Sequence, residues 1–151
     1  DWESTCNLYF KVRYSPLDAP LIALVADPDS PINNWCVPTD VASHYGPQNG
    51  ALLSVTLKTI PDESDEQVAK RIADELARLT GRADLYPQFL ARYDIPRALP
   101  AVEILRYDMQ ATETTLTDDI YLAGDHLLNA SLDAAMRSGR LAATALVGSL
   151  G

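Results

Sequence analysis

The sequence predicts an α+β fold: a mainly antiparallel sheet with a packed helix, ending in a strand–turn–helix segment. Three observations lead there. Cys6–Tyr14 (CNLYFKVRY) alternates apolar and polar residues with period two, the pattern of a half-buried strand. Ser64–Thr80 repeats apolar residues at helical spacing between clear start and stop signals. Asp119–Leu146 joins a short apolar run, a Gly-Asp turn and a stretch rich in small residues.

Taken in order, Leu8, Phe10 and Val12 share one parity of the first strand, while Tyr9, Lys11 and Arg13 share the other. After the turn residues Ser15–Pro20, Leu21–Ala26 (LIALVA) is a continuous apolar run, expected as a strand buried on both faces. Ile32–Val37 reads as a third strand closed by Pro38, and Thr39–Gly50 ends in turn chemistry at Gly46-Pro47 and Asn49-Gly50. Ala51–Lys58 is a fourth strand with Leu53, Val55 and Leu57 on one side. Short connections predict that the four form an antiparallel meander. Ser64 and Gln67 have capping-box spacing, Asp65 and Glu66 occupy the positive first turn, and Gly81 supplies the stop. Between them Val68, Ile72, Leu76 and Leu79 make one stripe to lie on the sheet. Pro87, Pro96 and Pro100 interrupt the next stretch, read as a short helix at Gln88–Arg92 followed by extended chain. Ala101–Tyr107 is expected as a further strand and the Thr-rich Met109–Thr117 as a mobile loop. Finally, Ile120–Ala123 reads as a buried strand, Gly124-Asp125 as a sharp turn, and Ser131 as N-cap of a helix to about Val147. On that helix Ser131, Ala134, Ala135, Ser138 and Ala142 fall near one face, where a backbone or a flat ligand can approach closely; simple packing on a sheet explains them equally well.

Composition narrows the function. The 151 residues are 47% apolar and 22% charged, an ordinary globular balance. A charge of −9 without any basic cluster argues against nucleic acid or anionic lipid as partner. No run approaches the ~20 apolar residues of a membrane helix, and no signal-like apolar region opens the chain, so no transmembrane segment and a cytoplasmic location are expected. Cys6, Cys36, His44 and His126 have no metal-ligand spacing; no metal site is assigned, and the two cysteines read as small buried apolar residues. Asp62-Glu63 and Asp118-Asp119 are neighbours at element ends and read as solvated caps. No Ser-His-Asp set, zinc motif or P-loop is present, and the catalytic residues stay unassigned.

The last quarter carries a more specific signal. Ala123-Gly124-Asp125, Ser131-Leu132, Ala135-Met136 and Ser138-Gly139-Arg140-Leu141-Ala142-Ala143 stand in one register. This string resembles the C-terminal flavin-contact motif of the FAD-dependent amine oxidase, phytoene desaturase and protoporphyrinogen oxidase superfamily. Two positions depart from it: Ala130 stands where the family usually has Gly before the Ser, and Ala134 replaces the Gly of the helix start. Upstream, an expected Asn-Asn turn at Asn33-Asn34, the Pro38…Tyr45-Gly46-Pro47 loop, Leu52–Leu57 and the IPRALP string Ile95–Pro100 resemble a phytoene-dehydrogenase-like substrate domain more loosely.

The resemblance implies an FAD site formed in part by Gly124, Asp125, Ser131, Leu132, Asp133 and Ala135, with the helix tip facing the ribityl–isoalloxazine end of the cofactor. Asp125 would accept a hydrogen bond from a ribityl hydroxyl or order the turn; a plain turn-former is the competing reading. Arg140 reads as a surface or inter-domain ion pair and His126 as a loop residue. Tyr93, Ile95, Ala98, Leu99 and Pro100 would run near the ring; Tyr45 would line the pocket, and Trp35 fits core packing better. The implied layout is a substrate-domain-like region over residues 1–117 and an FAD-contacting strand–turn–helix over 118–151. The family's G-x-G-x-x-G turn is absent, since the seven glycines stand at 46, 50, 81, 124, 139, 148 and 151. The chain is therefore expected to be the C-terminal portion of an FAD-dependent oxidoreductase, inactive alone, whose partners are a dinucleotide-binding part of the same enzyme and a small hydrophobic or amine substrate. The alternative is a non-catalytic binding or oligomerisation module that keeps the architecture without cofactor, with a homodimer covering its exposed apolar face.

Overall fold

The computed structural model describes residues 1–150, which divide into two compact units, Ser4–Pro96 and Asp1–Glu3 with Arg97 onward. The boundary expected at 117/118 falls inside the second unit. The first is built on a sheet of order β2-β3-β4-β1-β5, with β1 Trp2–Val12, β2 Ile22–Leu24, β3 Ile32–Cys36, β4 Ala51–Leu57 and β5 Gln88–Pro100. β1 pairs antiparallel with β4 from Cys6↔Leu57 to Val12↔Ala51, so the period-two pattern places Cys6, Leu8, Phe10 and Val12 on the same face as Leu53, Val55 and Leu57. That face is the core. α1 (Pro38–Val41) is a single turn after β3, and α2 (Asp65–Thr80) supplies Val68, Ala69, Ile72 and Leu76 to the core. Burying each large aliphatic side chain contributes about 1.5–3 kcal/mol. Both halves of the capping box at Ser64 and Gln67 are made, and Gly81 ends the helix with φ +68°.

Several expectations are corrected. The meander holds only for β2-β3-β4; β1 lies beyond β4, because its long buried stripe takes the central position next to the other fully alternating strand. β2 is an edge strand, and Leu21, Ile22 and Leu24 are 61%, 66% and 79% exposed, not buried on both faces. Asn33-Asn34 is no turn: both lie in β3, where the register slips between Ile32 and Asn34 and leaves Asn33 as a bulge. Gln88–Arg92 is not helical but opens the 13-residue β5. Phe89 packs edge-on to Phe10 at 6.0 Å, and Arg92 donates to the carbonyls of Pro61 and Glu63. An edge position tolerates Pro96 and Pro100, which donate no ladder hydrogen bond.

In the second unit Ala101–Tyr107 forms no strand. Met109–Thr117 is tied down instead of mobile. Ala111–Thr114 makes a 3₁₀ turn in which Glu113 accepts from the Gln110 N–H and pairs with Arg106, and Thr114 is fully buried. β6 (Thr115–Thr117) then pairs antiparallel with β7, which is only Ile120–Tyr121 and leaves Ile120 53% exposed, so the buried strand expected at 120–123 is a surface hairpin arm. α3 (Leu132–Ser149) packs Ala134 on Met109 and Leu128, and Ser138 and Ala142 are buried on the same side. No helix among the described residues is long and apolar enough to cross a membrane.

Candidate functional site

The candidate site is built on the turn between β7 and α3. Gly124 has φ +156° and ψ 163°, a region essentially restricted to glycine, and a Cβ there would stand 2.5 Å from His126 Nδ1. Ser138, two turns into α3, reaches back to it: its Oγ accepts from the Gly124 N–H at 2.9 Å and donates to the Gly124 carbonyl at 2.9 Å. The Asp125 carbonyl then accepts from Leu128 N–H and Ala130 N–H, both at 3.1 Å, which closes the loop and delivers the chain to the helix start. Ala130 takes φ +51° to make that delivery, a left-handed conformation that glycine adopts most readily.

At the helix start Ser131 Oγ accepts from Ala134 N–H at 3.1 Å and donates to Asn129 Oδ1 at 2.6 Å. The N–H groups of Leu132 and Asp133 precede the first helical hydrogen bond and meet no partner among the described residues. They carry the positive end of the α3 dipole, roughly half a charge. The tip is open: Leu132 is 79% and Met136 65% exposed, while the buried side of α3 begins at Ala134. Below the turn a cleft of about 490 Å³ is lined by Asp125 and His126 with Asp1, Trp2, Pro100 and Ala101, and the Ala101 N–H donates to the Asp1 carbonyl at 3.1 Å. That volume lies in the usual range for a small-molecule site.

Of the residues singled out from sequence, Gly124, Asp125 and Ser131–Asp133 thus belong to one continuous turn and helix tip, with Ala135 half-buried behind it. Pro100 lines the cleft; Trp35 is in the sheet core at 6% exposure, and Tyr45 is 57% exposed against His44. Arg140 is exposed and makes no ion pair among the described residues. Sequence reasoning did not assign the pinning role of Ser138, although the serine belongs to the recognised string. It also missed Trp2, for which no local signal existed because its neighbours come from position 100 onward. A larger cleft of about 810 Å³ lies elsewhere, lined by Arg13, Ser15, Asp40 and His44 among others. There Ser15 Oγ accepts from the N–H groups of Leu17 and Asp18 and donates to Asp40 at 2.5 Å, which ties the loop down.

The model of the flavin-containing amine oxidoreductases matches residues 4–147. The chain belongs to that family. No curated protein matches it in sequence. Among solved structures it is similar to the PF1083 protein from Pyrococcus furiosus, at TM-score 0.51 and 11% identity over 83% of this chain and 26% of that one. It is also similar to reduced UDP-galactopyranose mutase, at TM-score 0.52 and 12% identity over 66% of this chain and 22% of that one. At such identities the likeness is one of fold, and the chain spans about a quarter of the length of each of these structures. The family implies a flavin. The donor set here suits one: two unpaired helix-start N–H groups for an electron-rich ring edge, a carboxylate acceptor at Asp125, and a cleft that a side chain on Gly124 would distort.

Proposed function

We propose that this chain is the substrate-wall and final cofactor-contact portion of an FAD-dependent oxidoreductase, with a separate dinucleotide-binding part completing the FAD site. The observation that carries the reading is the uncovered α3 tip, whose free Leu132 and Asp133 N–H groups open the helix that follows the turn presenting Asp125 to the cleft. In support, the sequence has no G-x-G-x-x-G, and the fold it shares with the two solved structures makes up about a quarter of each.

Bound there, FAD supplies an acceptor for the two electrons removed from substrate, which is why the protein needs few reactive side chains of its own. With the cofactor bound, the N–H groups of Leu132 and Asp133 would stabilise negative charge developing on it, Asp125 would accept a hydrogen bond from one of its hydroxyls, and Ser138 would keep the Gly124 turn in place. The sheet-bearing unit would supply the wall that orients a substrate, the reaction being dehydrogenation or desaturation.

A second reading has one observation in its favour. Leu132, Met136, Leu146 and Val147 are exposed on α3, as is Leu150 at its C-cap, and Leu141–Leu150 contains no charged residue. A helix apolar on both sides needs cover; a second copy would give it in a cofactor-free module, the dinucleotide-binding part in the enzyme. Titrating FAD by fluorescence quenching, with the chain alone and with a dinucleotide-binding polypeptide of the family, separates the two. Binding only in combination is expected. Micromolar or tighter binding by the lone chain refutes the shared site, and no binding by the pair refutes the flavin assignment.

A further inference from the structure

The larger unit holds a second cleft that the flavin reading leaves unused. It measures about 810 Å³ and is walled by the turn after β1, Arg13–Ser15, and by the segment Thr39–Ala51, so all of it lies within Ser4–Pro96. That volume lies in the usual range for a small-molecule site. Its shape is fixed by the chain itself. The Leu52 N–H donates to Thr39 Oγ1 at 3.2 Å, the Tyr45 N–H donates to the Ala42 carbonyl at 3.0 Å, and Ser15 bonds Asp40. Glycine is required twice on the same wall. At Gly46 a Cβ would stand 2.4 Å from Thr39 Cγ2, and at Gly50, where φ is +125°, it would stand 2.5 Å from the Val12 carbonyl.

What the walls leave unsatisfied decides what fits. The side chains of Arg13, Ser43, His44 and Gln48 line the cleft and have no hydrogen-bond partner among the described residues. Asp40 is bonded to Ser15 through Oδ2, and its Oδ1 accepts nothing among them. Basic side chains also gather here. Six of the twelve Lys and Arg residues pair with carboxylates, namely Lys70, Arg71, Arg78, Arg92, Arg106 and Arg137. Of the other six, three stand at this cleft. Arg13 is on its wall, Lys11 has its Cε 3.3 Å from where a Gly50 Cβ would lie, and Arg82 sits 5.4 Å from the centre of the Tyr14 ring. The sequence has 21 acids to offer, yet Asp40 is the acid that lines the cleft, and Asp84 beside it takes the Tyr14 hydroxyl.

We propose that this cleft binds a polyhydroxylated small molecule carrying one phosphate or carboxylate group. The oxyanion lies against Arg13 and His44, one hydroxyl donates to Asp40 Oδ1, and Ser43 and Gln48 meet the others. A guanidinium grips either oxyanion through two parallel N–H donors, and Lys11 and Arg82 draw anions to a molecule that otherwise repels them. Asp40 supplies selectivity: a bare anion meets its charge, whereas a ligand hydroxyl uses it as an acceptor.

The test adds sorbitol 6-phosphate, gluconate, sorbitol and inorganic phosphate separately to the 15N-labelled 151-residue chain at pH 7 and follows amide chemical shifts. Shifts centred on Arg13–Ser15 and Thr39–Ala51 are expected with one or both polyol anions, and the tighter of the two tells phosphate from carboxylate. Sorbitol and inorganic phosphate should each bind at least about tenfold more weakly than that anion. Arg13→Gln removes an exposed guanidinium and leaves the Arg13 N–H on the Leu85 carbonyl; it is expected to weaken the same anion by about tenfold. Arg97→Gln removes an equal charge from the other unit and should change the affinity by less than about twofold. The spectra report whether each variant is folded. Should Arg13→Gln not fold, salt decides on the wild-type chain: raising NaCl from about 20 to about 200 mM should weaken the anion at least about threefold. No shift with either polyol anion, shifts confined to other surfaces, or sorbitol or inorganic phosphate binding as tightly overturns the proposal. So does unchanged affinity in a folded Arg13→Gln chain, an equal loss in Arg97→Gln, or binding indifferent to salt. None of these readouts involves FAD, so the flavin titration stands or falls separately.

Discussion

Removing the Ser138 hydroxyl is the most direct perturbation of the candidate site. Ser138 is fully buried, and its Oγ makes three contacts: it accepts from Gly124 N–H at 2.9 Å and shares its proton between the carbonyls of Gly124 at 2.9 Å and Ala135 at 3.0 Å. Each such hydrogen bond contributes about 1 kcal/mol net, and an N–H left unpaired in a partly buried place costs at least as much again. The cavity term is small because only one oxygen is removed. Ser138→Ala is therefore expected to destabilise the second unit by about 2 kcal/mol, a fall in its melting temperature of roughly 8–16 °C for a unit of this size. Thermal unfolding by circular dichroism measures it. Ser149→Ala is the control, since that exposed hydroxyl bonds Tyr121 and Leu146 at the C-terminal end of α3 and should cost under about 0.5 kcal/mol. A Ser138→Ala chain within about 0.5 kcal/mol of wild type would show that the Gly124 turn holds itself, and the positioning role given to Ser138 would be wrong.

Two further outcomes are expected. Ala130→Gly should stabilise the second unit by about 0.5–1 kcal/mol, because a left-handed alanine at φ +51° costs about 1–2 kcal/mol and the glycine gives back about half of that in chain entropy; a lower unfolding midpoint in urea would contradict it. Glu75 is held down to about 2 by Arg78 and, next, by the Ser30 hydroxyl. A depressed carboxylate stabilises the fold above its unfolded value near 4.5 and loses that contribution as pH falls toward 2. The first unit should therefore weaken across that window, by about 1 kcal/mol because solvent screens the exposed Arg78 partner, and Glu75→Gln should flatten the profile; an unchanged acid limb in the variant refutes the pairing.

What could be read in the residues was whatever local chemistry decides. β1 and β4 were legible because strict alternation leaves one possible buried face, and α2 because Ser64, Gln67 and Gly81 specify its ends through hydrogen bonds only a few residues long. β2 was legible as a strand but not as an edge, since the exposure of Ile22 and Leu24 depends on which strands come to lie beside it. β5 was hidden by its prolines: Pro96 is compatible with a long strand only at a sheet edge, and that position is settled by β1. In the site, Gly124, Asp125 and the Ser131 cap could be found because they act within one short segment, whereas Trp2 and Ala101 join the cleft through contacts that no local pattern encodes.

The β2 edge has a consequence for handling the protein. Leu21–Ala26 contains no charge and no proline, and among the described residues no strand lies on the outer side of β2. Such an edge is a template for intermolecular strand addition. At neutral pH the nine surplus negative charges keep molecules apart, but near the isoelectric point of about 4.5 that repulsion vanishes. Mild acid therefore brings together the two conditions for β-rich precipitation, and colloidal stability rests on staying well above that pH.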